Sequence, residues 1–318
     1  MIDFRYHLVS IVAIFLSLAV GLVLGASFLP DKFAGVLRSE VTRAQQSNDD
    51  LRDQLTDQDS RIKGGEQFAG VLGPQLVAGR LKDEQVVLVE TPGSNDKIRE
   101  QVAKAVTDAG ATYTGSVNIQ NKYFAEDQVE VLDQLARAVK PGGVTLSETG
   151  TPYDRAGAVL ASVLVTDQAS RAGREEAAGG EVLAGFKDRG YVTTSGKPGA
   201  RATLAVVIAP STLYTGKSGE IGNRALVSLT AALDDAGRGT VLAGPSTAAE
   251  DGGLIAVLRG SDTGARVSTV NTADTASGQI VTVLALVTEI TGKSGNYGIG
   301  SGANGYLPTP VPTTEKRT

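Results

Sequence analysis

Hydrophobic positions follow three regimes along the chain. From Leu8 to Leu29 the residues are apolar or small, without a single charge. At about 1.5 Å per residue, this run makes roughly 33 Å of helix, enough to cross a hydrocarbon core of about 30 Å. Past Pro30 the apolar residues thin to helical spacing. With Ala34 as an a position, Ala34, Leu37, Val41, Ala44, Asn48, Leu51, Leu55, Gln58 and Ile62 fall on successive a and d positions. From Gln85 short continuous apolar runs alternate with amphipathic stretches. The pattern predicts a transmembrane anchor over 1–30, a coiled-coil stalk over 31–63 and a linker helix over 64–84. An open, mainly parallel α/β domain over 85–292 and a Gly/Pro-rich tail over 293–318 follow.

The apolar run is too long for a cleaved signal peptide, and Gly25-Ala26-Ser27 is only a passable cleavage site. Retention as a single-pass anchor is the expectation. Arg5 and the α-amino group precede the span, whereas Asp31 and Lys32 after it nearly cancel. That slight bias favours a cytoplasmic N-terminus and an extracytoplasmic body. Inside the span Ala13, Ser17, Gly21 and Gly25 recur at every fourth position, so small side chains stack on one face where two helices can approach. In the stalk, Asn48 at an a position is a known device for setting register and two-strandedness. The e and g pairings (Glu40 with Gln45, Ser47 with Arg52, Gln54 with Asp59) add little. Both segments point to a parallel homodimer. Gly64-Gly65 is expected to end the stalk, and a short apolar helix interrupted at Gly73-Pro74 to follow.

In the third region Val86–Val89 reads as a strand buried on both faces. Thr91–Asn95 is a turn, with Ser94 or Asn95 capping a helix whose face is Ile98, Val102, Val106 and Ala109. Strands are expected at 111–119, 203–209, 240–243 and 267–270, and helices at 224–235 and 280–290. The stretch 125–190 reads as mostly helical, and the tail from Lys293 as a loop or a disordered end.

Composition removes several chemistries. The chain has no Cys, its one Met is the initiator and its one His is His7. Disulfides, thiolate metal sites and cysteine nucleophiles are therefore excluded, and the α/β region has no imidazole base. A net charge of −5 argues against a nucleic-acid partner. The absence of Trp argues against an aromatic-girdled barrel.

Two loops resemble binding motifs. Ser211–Ser218 lies between a strand and a helix, as a phosphate loop does, but Ser211 stands where GxxxxGK[ST] needs Gly and Leu213 and Tyr214 are bulky. Helical periodicity resumes only near Asn223, which puts Lys217 outside the helix N-terminus. The next strand ends in Gly244, where a magnesium-binding Asp would stand. The loop Thr91–Asp96 has one Gly where a dinucleotide fingerprint needs three. Glu90, Asp96, Glu126 and Asp127 fall near strand ends and read as solvated charge. No catalytic, cofactor or metal residues are assigned, and a non-enzymatic role is expected.

The opening Met1-Ile-Asp-Phe-Arg-Tyr-His-Leu-Val-Ser10 runs into the Gly21/Gly25 helix, and the closing Asn296-Tyr-Gly-Ile-Gly-Ser-Gly-Ala-Asn-Gly305 follows the α/β region. In these segments and in their order the chain resembles the actinobacterial MctB family of copper transport proteins over nearly its whole length. The resemblance implies a cell-envelope protein of copper homeostasis, an efflux channel of the outer membrane, with copper ion as its cargo. The residues by themselves favour another class: an anchored dimer presenting an α/β domain to an envelope protein partner, as in a division or wall-remodelling scaffold.

Overall fold

The computed structural model describes the backbone of residues 4–27 and 31–312, and their side chains except at 4, 5, 26, 27, 31–35 and 37. The chain forms two units, Met1–Gly64 and Gly65–Thr318.

In the first unit, α1 (Phe4–Ser27) is helical throughout. Its stretch Tyr6–Gly25 has a mean hydropathy of 2.7 and none of it is buried. Ser17 Oγ donates to the Ile14 carbonyl at 2.9 Å, so the one described hydroxyl in the middle of this stretch is satisfied within its own helix. Residues 31–64 belong to α2 (Asp31–Val77). Arg43–Glu40, Arg61–Asp57 and Lys63–Asp59 pair along its surface at 3.0, 3.0 and 2.7 Å. These are exposed local pairs that support helix without specifying a partner.

Two expectations about α2 fail. It does not end at Gly64-Gly65, and Pro74 lies inside it. Neither Gly64 nor Gly65 takes the left-handed conformation that closes a helix. In the second unit, tertiary contacts hold the segment around Pro74 helical. Glu66 Oε2 accepts from the Ala276 N–H at 2.6 Å, and a Cβ on Gly73 would stand only 2.9 Å from Ile280 Cδ1. Packing thus offsets the hydrogen bond that Pro74 removes. Gly79, at φ 72°, is the residue that turns the chain away.

The second unit is built on β1 (Gln85–Glu90), β2 (Thr112–Ile119), β3 (Val192–Gly196), β4 (Leu204–Ile208), β5 (Thr240–Ala243), β6 (Ser268–Val270) and β7 (Asn296–Tyr297). They form one sheet in the order β3-β2-β1-β4-β5-β6-β7. Every neighbouring pair is parallel except β2 with β3. The antiparallel edge strand β3 was not anticipated. Nor was β7: part of the tail expected to be irregular is a strand, paired through Thr269 with Asn296 and Val270 with Tyr297.

Alternation along β1 explains its unbroken apolar run. Val87 and Val89 face a core shared with α4 (Val129–Val139), α5 (Pro152–Leu164), α6 (Ala177–Asp188), α7 (Gly216–Ala236) and α8 (Leu254–Arg259). Val86 and Leu88 face the opposite core, under α3 (Asp96–Asp108), α9 (Ala276–Ile290) and the end of α2. Both faces are covered, as a parallel sheet requires.

Candidate functional site

In an open α/β sheet, ligands bind beyond the carboxyl ends of the strands where the strand order reverses. Here that point lies between β1 and β4, because the chain leaves β1 for β2 on one side and builds β4 to β7 on the other. The loops after these two strands close over it. Thr91 Oγ1 donates to the Ile208 carbonyl at 2.8 Å, and the Ser211 N–H to the Gly93 carbonyl at 2.9 Å. Tyr214 lays its ring beside Phe124, with centroids 5.7 Å apart, and donates its hydroxyl to the Pro92 carbonyl at 2.6 Å. Burial pushes the Tyr214 phenol up to about 12. The crevice is plugged by this side chain.

The phosphate-loop lookalike needs one correction. α7 begins at Gly216, so Lys217 does stand in the first helical turn. Glycines at 216, 219 and 222 erased the apolar periodicity there, while close packing sustains the helix: a Cβ on Gly219 would fall 2.6 Å from the Tyr214 carbonyl carbon. The Lys217 side chain is nonetheless 81% exposed, and its Nζ lies 3.4 Å from Glu126. Tyr214 packs against the helix start where a phosphate would approach.

A second concavity, of about 220 Å³, lies on the α3 side of the sheet. Glu90, Asp96, Arg99, Ser116, Asn118, Thr193, Thr194 and Ser195 line it, and all are polar. Asn95 accepts from the Lys97 N–H at 2.9 Å, which is the expected helix cap and fixes the position of α3. One turn on, Arg99 Nε comes within 3.3 Å of the buried Glu90 Oε2. Gln120 Nε2 donates to Asn118 Oδ1 at 2.9 Å, orienting that amide. The arrangement supplies hydroxyls, an amide and a guanidinium already shared with Glu90. It suits neutral hydrogen-bonding ligands, because the Arg99 charge is taken up within the site by Glu90 and Asp96.

Of the four carboxylates noted near strand ends, Glu90 is buried and ion-paired, which corrects its reading as solvated charge. Asp96 is exposed at the start of α3, and Glu126 faces Lys217. Among the described residues no three His, Cys, Asp or Glu side chains converge as a metal site would need. Arg99, Asn118 and the β3 residues were missed from the sequence. The β-branched Val192-Thr193-Thr194 was the available signal.

Ala13, Ser17, Gly21 and Gly25 all lie on α1, and a Cβ on either glycine would meet nothing within 4 Å. Val41, Leu51, Leu55 and Ile62 are more than half exposed on α2, and Ala44, Asn48 and Gln58 are exposed with them. The side chains of Ala34 and Leu37 lie outside the described residues.

The profile of the family described as "Copper transport outer membrane protein, MctB" matches residues 1–308. Copper transporter MctB of Mycobacterium tuberculosis (strain ATCC 25618 / H37Rv) is 32% identical over 311 residues, covering 95% of this chain and 98% of the relative. The protein of the same name from Mycobacterium bovis matches with the same identity and coverage. That of Mycobacterium leprae is 31% identical over 316 residues, again covering 95% of this chain and 98% of its own.

Proposed function

The chain belongs to the MctB family, and from that premise we propose that it is a non-enzymatic, membrane-anchored protein of the cell envelope that serves copper homeostasis without chelating the metal in its α/β domain. One observation carries this reading. From Gln85 onward there is no Cys, His or Met. Copper(I) is held by thiolate and thioether ligands and copper(II) by imidazole, so this region offers only carboxylate and carbonyl oxygen, which bind weakly and with little selectivity. α1 holds the protein in a membrane, α2 pairs with a second copy in parallel, and the α/β domain stands outside the cytoplasm. Copper is then cargo or stress signal, handled by an unselective passage or by a partner.

A copper(I) titration of the purified full chain against a chromophoric competitor tests the reading, beside copper tolerance of a strain lacking the protein. Weak, unsaturable binding together with copper sensitivity on deletion is expected. Stoichiometric binding at submicromolar affinity would overturn it.

A second reading rests on Val41, Leu51, Leu55 and Ile62, apolar a and d positions of α2 that a single copy leaves exposed. They fit a dimeric scaffold that recruits an envelope protein with no part in copper handling. Normal copper tolerance on deletion, with defective division or wall remodelling, would favour this reading.

A further inference from the structure

Strand β3 ends the sheet, and among the described residues no strand lies on its outer side. The Gln120 N–H donates to the Tyr191 carbonyl at 2.9 Å and the Lys197 N–H to the Thr114 carbonyl at 2.7 Å. In an antiparallel pair such bonded positions alternate with positions whose backbone groups point away. With Asn118 opposite Thr193 and Ser116 opposite Ser195, the alternation aims the N–H and C=O of Thr194 and Gly196 outward. Among the described residues nothing bonds to these groups. An edge strand in this state is a template for another extended chain.

The edge opens into a groove of about 510 Å³ rather than onto a bare surface. One wall is the backbone at Thr194 and Gly196, the other is α6. On α6 the groove residues are small and exposed: Ala177, Gly180 and Ala184, one per turn. Leu183 gives an apolar floor, and Lys187 stands over the last turn of the helix. Among the described residues Lys187 has no ion-pair partner.

We propose that the channel between β3 and α6 binds an extended segment of another polypeptide, which adds to the sheet as an eighth strand beside β3. Three observations define its chemistry. The unpaired backbone groups at Thr194 and Gly196 call for a main chain in β conformation. The row of small residues on α6 leaves room for apolar side chains at alternate positions, as strand geometry presents them. The unpaired Lys187 charge selects a segment carrying a carboxylate at that end. This surface is built only from residues of the second unit, on α6, β3 and the segments that flank them.

The test uses the detergent-solubilised full chain and a fluorescent nonapeptide of alternating valine and threonine flanked by glutamates. Binding with a Kd of about 1 mM or tighter is expected, with the Thr194 and Gly196 amides slowed in hydrogen exchange. Thr194→Pro removes an outward donor without touching a bond to β2, and should weaken binding about tenfold. Lys187→Glu should weaken it as well, and should favour a lysine-flanked peptide instead. Should Thr194→Pro fail to fold, a peptide N-methylated at alternate residues, offered to the unaltered protein, asks the same question and should not bind. Absent binding, or binding unaffected by N-methylation, refutes the proposal. So does protection of the Thr194 and Gly196 amides without peptide that is lost on dilution, because the occupant would then be β3 of a second copy.

Discussion

Glu66 and Ala276, distant in sequence, meet where the Glu66 carboxylate accepts the Ala276 N–H at 2.6 Å. The second oxygen takes the Ser277 hydroxyl at 3.2 Å, so one side chain caps the first turn of α9 from the helix that precedes the sheet. A carboxylate there satisfies an orphan N–H and opposes the positive end of the helix dipole.

Replacing Glu66 by Ala should cost about 1 kcal/mol of domain stability, the usual worth of a helix cap. Gln should recover the hydrogen bond but not the charge, and should fall between the two. Chemical unfolding followed by near-UV circular dichroism reads both. The exposed Glu40→Ala serves as the control and should be silent.

The pair Arg155–Asp133 pins α5 to α4 inside the core on the α7 side of the sheet. Burial works against the Asp133 charge, but hydrogen bonds from Arg155 and Arg137 outweigh it and hold the carboxyl below the ordinary carboxylate range. Arg155→Ala leaves that carboxylate to Arg137 alone, and a loss of about 2 kcal/mol is expected, the worth of a hydrogen bond to a charged group. A lowered pKa contributes stability that is present above the unfolded value and lost as pH falls. Acid unfolding of the variant should therefore begin at higher pH than that of the parent.

Glu289 behaves in the opposite sense. Its Oε1 accepts the Ser268 N–H at 2.7 Å, yet burial raises its carboxyl to about 8. Desolvation likewise raises its neighbour Asp234 to about 6, against the pull of Arg266. Folding therefore favours the protonated forms, and stability declines as pH rises from about 4 through these folded values. The thermal midpoint should drop between about pH 5 and pH 9, and Glu289→Gln, which keeps the acceptor, should flatten the upper part of that slope. An unchanged slope in the variant would show that Glu289 is not the group responsible.

Asn48 on α2 supplies the fourth prediction. In a parallel dimer Asn48→Leu should raise the stability of the stalk and loosen its oligomer number, because the buried amide pair sets two-strandedness at a cost. Analytical ultracentrifugation of the full chain in detergent measures the second effect. Cysteines introduced singly at position 48 should crosslink between two copies. Failure to do so would rule out the parallel pairing.

What could be read in advance was local. The charge-free run to Leu29 specifies an apolar helix by length, and Val86–Val89 declares a strand covered on both sides because every residue needs burial whichever way it points. Asn95 marks its helix because a cap bonds within its own turn. What stayed hidden depends on partners far along the chain. Gly64-Gly65 and Pro74 carry the vocabulary of a helix end, and contacts from Ala276 and Ile280 overrule it for Pro74. β3 is polar and short, so only its pairing with β2 makes it a strand, and β7 exists only because β6 offers an edge. Tyr214 looked like an obstruction in a phosphate loop and proved to be the plug between β1 and β4. Propensity and periodicity act over a turn or a strand and are written residue by residue. Edge pairing, helix continuation and site closure are decided by which distant surfaces meet, and that is set only when the sheet assembles.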